Sequence, residues 1–266
     1  MESKNKPIGI FDSGVGGLTV INHLLEVLPN ENFIFFADSA NIPYGNKDKK
    51  QLKKLVTDDI KFLSGFNIKA IIVACNTADS VINQEIKKHS KVDIIRPIKS
   101  TAKLAVRQTK NKKIGVLATR ATCLSNDYLN EIKKHDETVE VYQQPCPLLA
   151  SYIENQDYFN NREIMTDLIK QYLISLLEKE VDTIILGCTH YPLALEYLKP
   201  LAENVNFVSS SLAAVLETEK LLTDKDMLAD KVHTRIFYTN ADVEEFKQKT
   251  ELFITADIEK IIRKAE

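Results

Sequence analysis

One short pattern occurs twice in this chain, and it narrows the fold more than any other feature does. Asp182-Thr-Ile-Ile-Leu-Gly-Cys-Thr-His-Tyr-Pro-Leu193 opens with a β-branched apolar run, Thr183 to Leu186. Such a run reads as a buried strand of a parallel sheet. It ends at Gly187, and Cys188, Thr189 and His190 follow where the chain must turn. Pro192 suits the first turn of a helix, where its missing N–H costs nothing. A thiol, a hydroxyl and an imidazole thus stand at the carboxyl end of a strand, the ligand side of an open α/β sheet. Lys69-Ala-Ile-Ile-Val-Ala-Cys-Asn-Thr-Ala78 repeats the arrangement with Cys75, Asn76 and Thr77. A second pair, Ile8-Gly-Ile-Phe11 and Ile114-Gly-Val-Leu117, recurs at a similar separation. The chain reads as one unit used twice, with two cysteines facing each other across a shared cleft.

Strands alternate with helices throughout, so parallel sheets in an α/β fold are expected. The first strand, Ile8 to Phe11, runs into Asp12-Ser-Gly-Val-Gly-Gly17. This is no dinucleotide loop, because the third glycine of G-x-G-x-x-G would fall at Thr19. A tight βα turn explains the glycines alone; Asp12 and Ser13 at the strand end add a functional reading. Asp38 closes the next strand, Phe33 to Ala37. After Cys75 a helix is expected to about Lys88, and Ala118 to Ser125 reads as a hydroxyl-rich loop. The tail from Asn206 carries no third cysteine unit. A strand at Arg235 to Tyr238 and helices around Glu244 and Glu259 are expected there.

Composition excludes several classes. Net charge is −2, with 44% hydrophobic and 27% charged residues. That is a globular balance with no basic excess, so neither nucleic acid nor an anionic membrane is indicated. No signal core and no membrane-spanning run is present, and a cytoplasmic protein is expected. The four cysteines form neither C-x-x-C nor a zinc spacing, so free thiols and no metal are expected.

A buried cysteine is usually a small core hydrophobe, which suffices for Cys123 and Cys146. Cys75 and Cys188 differ, since each ends a strand, precedes a helix and is followed by polar residues. A helix N-terminus favours thiolate. Two thiols suit inversion of a stereocentre, with a base on one face of Cα and an acid on the other. Near-attack geometry puts each sulfur roughly 3–3.5 Å from Cα. The sulfurs would then be about 7 Å apart, beyond the ~2.05 Å of a disulfide. His190 could relay protons for Cys188, and Asp12 could do so for Cys75. Asn76, Thr77, Thr119, Thr122, Thr189 and backbone N–H groups could hold a carboxylate without a formal cation.

These strings resemble those of the cofactor-independent glutamate racemases. The motifs are Phe11-Asp-Ser-Gly-Val-Gly-Gly-Leu-Thr19, Pro43-Tyr-Gly45, Ala74-Cys-Asn-Thr-Ala78 and Leu186-Gly-Cys-Thr-His-Tyr-Pro-Leu193. Weaker matches are Pro145-Cys-Pro-Leu148 with Glu154, and Phe237-Tyr-Thr-Asn240. The resemblance implies interconversion of L- and D-glutamate for peptidoglycan, without cofactor. It implies Cys75 acting on the D isomer and Cys188 on the L isomer. Asp12, Asp38, Glu154 and His190 would assist; Ser13, Tyr44, Gly45, Asn76, Thr77, Thr119, Thr122, Thr189 and His190 would form the substrate shell.

The implied architecture is two similar parallel-sheet α/β domains related by a pseudo-twofold, with the active site in the cleft between them. Residues 1–98 plus 209–266 would carry Cys75, and residues 99–208 would carry Cys188. A homodimer is compatible with this reading. Four positions depart from the family pattern: Ile98, Ala118, Ala121 and Ser209. A related racemase for aspartate or another amino acid, and an inactive amino-acid-binding relative, stay open as alternatives. A thiol redox protein is disfavoured by the missing C-x-x-C, and a pyridoxal enzyme remains formally open.

Overall fold

The computed structural model describes residues 3–155, 161–254 and 260–264. Among the described residues ten strands form two sheets, and every pairing between them is parallel. The strands are β1 (Ile8–Asp12), β2 (Phe33–Ala37), β3 (Ala70–Val73), β4 (Asp93–Ile95), β5 (Lys113–Ala118), β6 (Glu140–Pro145), β7 (Thr183–Gly187), β8 (Asn206–Ser209), β9 (Arg235–Thr239) and β10 (Lys260–Arg263). The first sheet runs β10-β9-β2-β1-β3-β4 and the second β6-β5-β7-β8. The order β2-β1-β3-β4 thus recurs as β6-β5-β7-β8. The repeat read from the strings is a repeat of winding.

That winding fixes where a ligand belongs. From β1 the chain goes to β2 on one side, and from β3 to β4 on the other. β5 and β7 diverge in the same way. Such switch points leave a crevice beyond the carboxyl ends of the strands. Asp12 and Cys75 flank the first crevice, and Thr119 and Cys188 flank the second.

Burial follows position in the sheet. β1, β2, β3 and β7 are buried along their whole length, as strands covered on both faces must be. The edge strands β4, β6 and β10 keep polar, part-exposed residues. Phe33 and Phe35 of β2 meet Phe237 of β9 edge-on, with centroids 5.5 and 5.8 Å apart. The returning tail is therefore fused into the first sheet by its core. The helix Ser210–Asp224 packs against both Leu18–Val27 and Pro97–Gln108, linking the two sheets.

Two local expectations are corrected, and a third lies largely outside the described residues. The helix expected from Cys75 to Lys88 is two short ones, Asn76–Asp79 and Gln84–Lys87, because Asn83 turns outward and caps Ile86 N–H at 3.0 Å. The loop expected at Ala118–Ser125 contains a helix, Arg120–Ser125, whose cap is the Thr119 hydroxyl. The helix expected around Glu259 falls on residues outside those described; the residues just after it, Lys260–Arg263, form β10 and pair with β9.

The four departures sit in packed positions. Ile98 is fully buried, and its N–H donates to Asp79 at 2.9 Å. Ala118 is buried at the end of β5 and Ala121 packs on the first core. Ser209 caps the helix that follows it, accepting from Leu212 N–H at 3.3 Å.

Candidate active site

The two crevices open into one cavity of about 230 Å³. Cys75 and Cys188 both line it, each about 5% exposed (5% and 6%), one carried by each sheet. All four cysteines are free thiols. Among the described residues no His/Cys/Asp/Glu cluster could hold a metal ion.

On the Cys188 side, β7 stops at Gly187 and the chain enters a short 3-10 turn, Tyr191–Ala194. His190 Nδ1 lies 3.6 Å from Cys188 Sγ. His190 Nε2 lies 2.5 Å from Glu154 Oε2, and both residues are buried. Burial alone would depress the imidazole. The Cys188 sulfur and the Glu154 carboxylate outweigh it and hold His190 well above the usual histidine range. Glu154 is correspondingly held below its usual value despite its burial, mainly by its bond to His190. The line Glu154–His190–Cys188 keeps a proton beside a sulfur.

The Cys75 side is built differently. Cys75 caps the four-residue helix Asn76–Asp79, with Ala78 N–H donating to Sγ at 3.5 Å, and Ser13 Oγ lies 3.7 Å from Sγ. Burial works against the thiolate expected from this helix end. Complete burial, reinforced by the Asp12 charge, raises the thiol well above its usual value. One turn of helix is too little to offset the loss of water. Asp12 does not bond Cys75; it accepts from Gly14 N–H at 3.2 Å, Gly17 N–H at 2.9 Å and the Thr189 hydroxyl at 3.3 Å. Burial raises its carboxyl to about 6.

The remaining wall is mostly neutral. Thr77 and Thr119 join hydroxyls at 2.9 Å, and Thr122 backs them at 3.0 Å from Thr119. Gly45 lies against Thr119, where an added Cβ would come within 3.2 Å. Ser13, Tyr44, Gly45, Asn76, Thr77, Thr119, Glu154, Thr189 and His190 line the cavity. Asp12, Asp38 and Thr122 do not line it; they stand behind it, bonded to Thr189, Tyr44 and Thr119. Asp38 accepts from the Tyr44 hydroxyl at 2.5 Å, from Asn41 at 2.8 Å and from Asn240.

Several contributors were not legible as strings. Tyr128 donates to Asn76 Oδ1 and Asn76 Nδ2 donates to Ser210, both at 2.9 Å, so the Asn76 amide is clamped by two residues distant from it in sequence. Cys146 is a core residue, as expected, and also lines the cavity, as does Arg120, an exposed cation near its mouth. The glycines of Asp12–Gly17 have a purpose the sequence did not show. A Cβ on Gly16 would lie 2.5 Å from Thr189 Oγ1 and 2.6 Å from the His190 ring. The turn is bare so that the second cysteine's loop can press against it.

A family model described as Asp/Glu/Hydantoin racemase matches residues 20–218. Among curated proteins, a glutamate racemase of Thermoanaerobacter sp. (strain X514) is 38% identical over 97% of this chain and 96% of its own. Among solved structures, glutamate racemase isoform RacE1 from Bacillus anthracis superposes with TM-score 0.93 and 34% identity, over 98% of each chain. The Francisella tularensis glutamate racemase, solved with D-glutamate, gives TM-score 0.89 and 33% identity, over 98% of each chain.

Proposed function

The chain belongs to the Asp/Glu/Hydantoin racemase family, and from that premise we propose that it interconverts L- and D-glutamate by proton transfer at Cα between Cys188 and Cys75. The observation that carries this reading is a single cavity lined by Cys75 from the end of a first-sheet strand and Cys188 from the end of a second-sheet strand. The resemblance to proteins named glutamate racemases over nearly their whole length supports glutamate as the substrate.

The mechanism follows from the asymmetry of the two sides. Protonated His190, held by Glu154, stabilises negative charge on Cys188. Cys75 keeps its proton. In this form Cys188 takes the Cα proton of L-glutamate, and the electron pair left on Cα takes the proton of Cys75 from the opposite face. D-glutamate results, with Cys75 now the thiolate and Cys188 the thiol. The reverse direction starts from that state. The Thr77–Thr119 hydroxyls, Thr189 and the N–H groups of the Asn76 turn hold the carboxylate and the charge that spreads into it at the transition state. The hydroxyl wall suits this, since neutral donors bind an anion without an ion pair that must break for release.

The cleft would divide the chain into residues 1–98 with 209–266, and residues 99–208. Both thiols come from one chain, so the site is complete in a monomer or a homodimer. No described helix is long and apolar enough to cross a membrane; a cytoplasmic enzyme supplying D-glutamate for peptidoglycan fits this reading.

The test uses purified protein and each glutamate isomer in D₂O, with no added cofactor. Deuterium at Cα is expected in the product enantiomer before it enters recovered substrate, because the incoming proton comes from the second thiol. Deuterium entering the substrate first, or no loss of optical rotation, overturns the reading.

The pH profile carries a second expectation. Ionised Asp12 accepts all three of its bonds, and burial pushes its carboxyl up to about 6. kcat/KM should therefore fall on the acid side with an apparent pKa near 6. Asp12→Asn is expected to be slower and to lose that limb. An unchanged limb in the variant assigns it to another group.

A further inference from the structure

Tyr44 forms part of the cavity wall, yet its hydroxyl points away into a site of another kind. Its oxygen lies 2.5 Å from Asp38 Oδ2 and 2.9 Å from Asp59 Oδ2. All three residues are buried, each about 2% exposed. A phenol has one proton and can donate to only one of two carboxylates. The second contact needs another proton, or two bare anions would face one oxygen away from water. The surroundings decide where that proton sits. Asp38 already accepts from Tyr44, Asn41 and Asn240. Asp59 has no hydrogen-bond partner but Tyr44 among the described residues.

We propose that Asp59 is a neutral carboxylic acid that donates to the Tyr44 oxygen and thereby positions the Tyr44-Gly45 wall of the racemase cavity. The chain of bonds is then directional: Asp59 O–H to Tyr44 O, Tyr44 O–H to Asp38, with Asp38 carrying the single negative charge. Asp59 stands in the helix Lys49–Ser64, and Asp38 follows β2. Tyr44 is thus pinned between a helix and a strand end at the point where the chain turns into Gly45. The adjacent charges agree. Burial, then the Asp38 charge, raises Asp59 well above the carboxylate range; the Tyr44 contact and Lys264 oppose this, and Asp58 adds to it. The Lys264 ammonium lies over the Phe36 and Phe62 rings, 4.6 and 4.8 Å from their centroids. No ion pair to Asp59 forms among the described residues. Tyr44 is itself raised by burial and by the two acids, so it stays a phenol. Asp59 touches no reacting atom and is a positioning residue. Its effect on turnover rests on the racemase reading, while its protonation state does not.

The experiment compares Asp59→Asn with Asp59→Leu. Asparagine keeps a neutral donor and should hold kcat and KM within about threefold of the parent. Leucine removes the donor and should lower kcat/KM about tenfold or more, chiefly through KM, with thermal unfolding and circular dichroism recorded beside it. Tyr44→Phe should add less in the leucine background than in the parent, because only the bond to Asp38 is left for it to break. Difference infrared spectroscopy of the substrate-free protein near neutral pH should show a neutral carboxylic C=O band that disappears in Asp59→Asn. Absence of that band overturns the protonation state, whatever the protein's activity is. An asparagine variant as impaired as the leucine one, or a leucine variant as active as the parent, overturns the positioning role.

Discussion

Either Cys75 or Cys188, replaced by alanine, will leave a folded protein that no longer racemises glutamate. Losing one positioned acid–base group costs about 10²–10⁴-fold in rate, and the two losses should not multiply, because inversion needs both groups in one event. Cys75 and Cys188 already border empty space, so removing a sulfur opens little new void in the core. The variants should differ in what survives. Cys75→Ala keeps the base on the L face and should exchange the Cα proton of L-glutamate with D₂O, slowly and with retention. Cys188→Ala should do the same for the D isomer only. Parent rates in both variants remove the mechanism. Exchange of both isomers by one variant replaces it with a single base serving both faces.

What could be read from the chain, and what could not, divides along a physical line. Buried strands announce themselves, because both faces are covered and the run is apolar throughout, as in Thr183–Leu186 and Ala70–Val73. The residues just past them were legible for the same reason: polar side chains at a strand end stand out against the apolar run. Lys260-Ile-Ile-Arg263 is too short and too polar at its ends to declare itself, and β9 alone makes it a strand. The thiolate expected at Cys75 failed because a string shows a helix end but not how dry it is. Tyr128, Ser210 and Asp59 were invisible because each acts across a large gap in sequence, on Asn76 or Tyr44. The serine run at 209–211, where Ser209 departs from the family pattern, supplies a helix cap and two ties, Ser210 to Asn76 and Ser211 to Thr19 at 2.7 Å.

The glycine turn yields the second large effect. Gly16→Ala should lower kcat by about 10²-fold, the scale expected when a catalytic group is displaced by about 1 Å. The backbone of Gly16 is not itself the constraint, since no glycine in the described chain has positive φ. The constraint is across the cleft: the new methyl would sit 2.5 Å from Thr189 Oγ1 and 2.6 Å from the His190 ring, well inside contact distance. Thr189 cannot yield freely, because its carbonyl accepts from Thr19 at 3.0 Å and its hydroxyl is bonded to Asp12. His190 cannot yield without leaving Glu154 or Cys188. The methyl therefore pushes the imidazole off its sulfur or pries the two loops apart. The first lowers kcat at nearly constant KM; the second raises KM as well, so the split between them identifies which loop moved. Gly16→Ala with parent kinetics and parent stability would mean that the close approach of the two loops has no part in turnover.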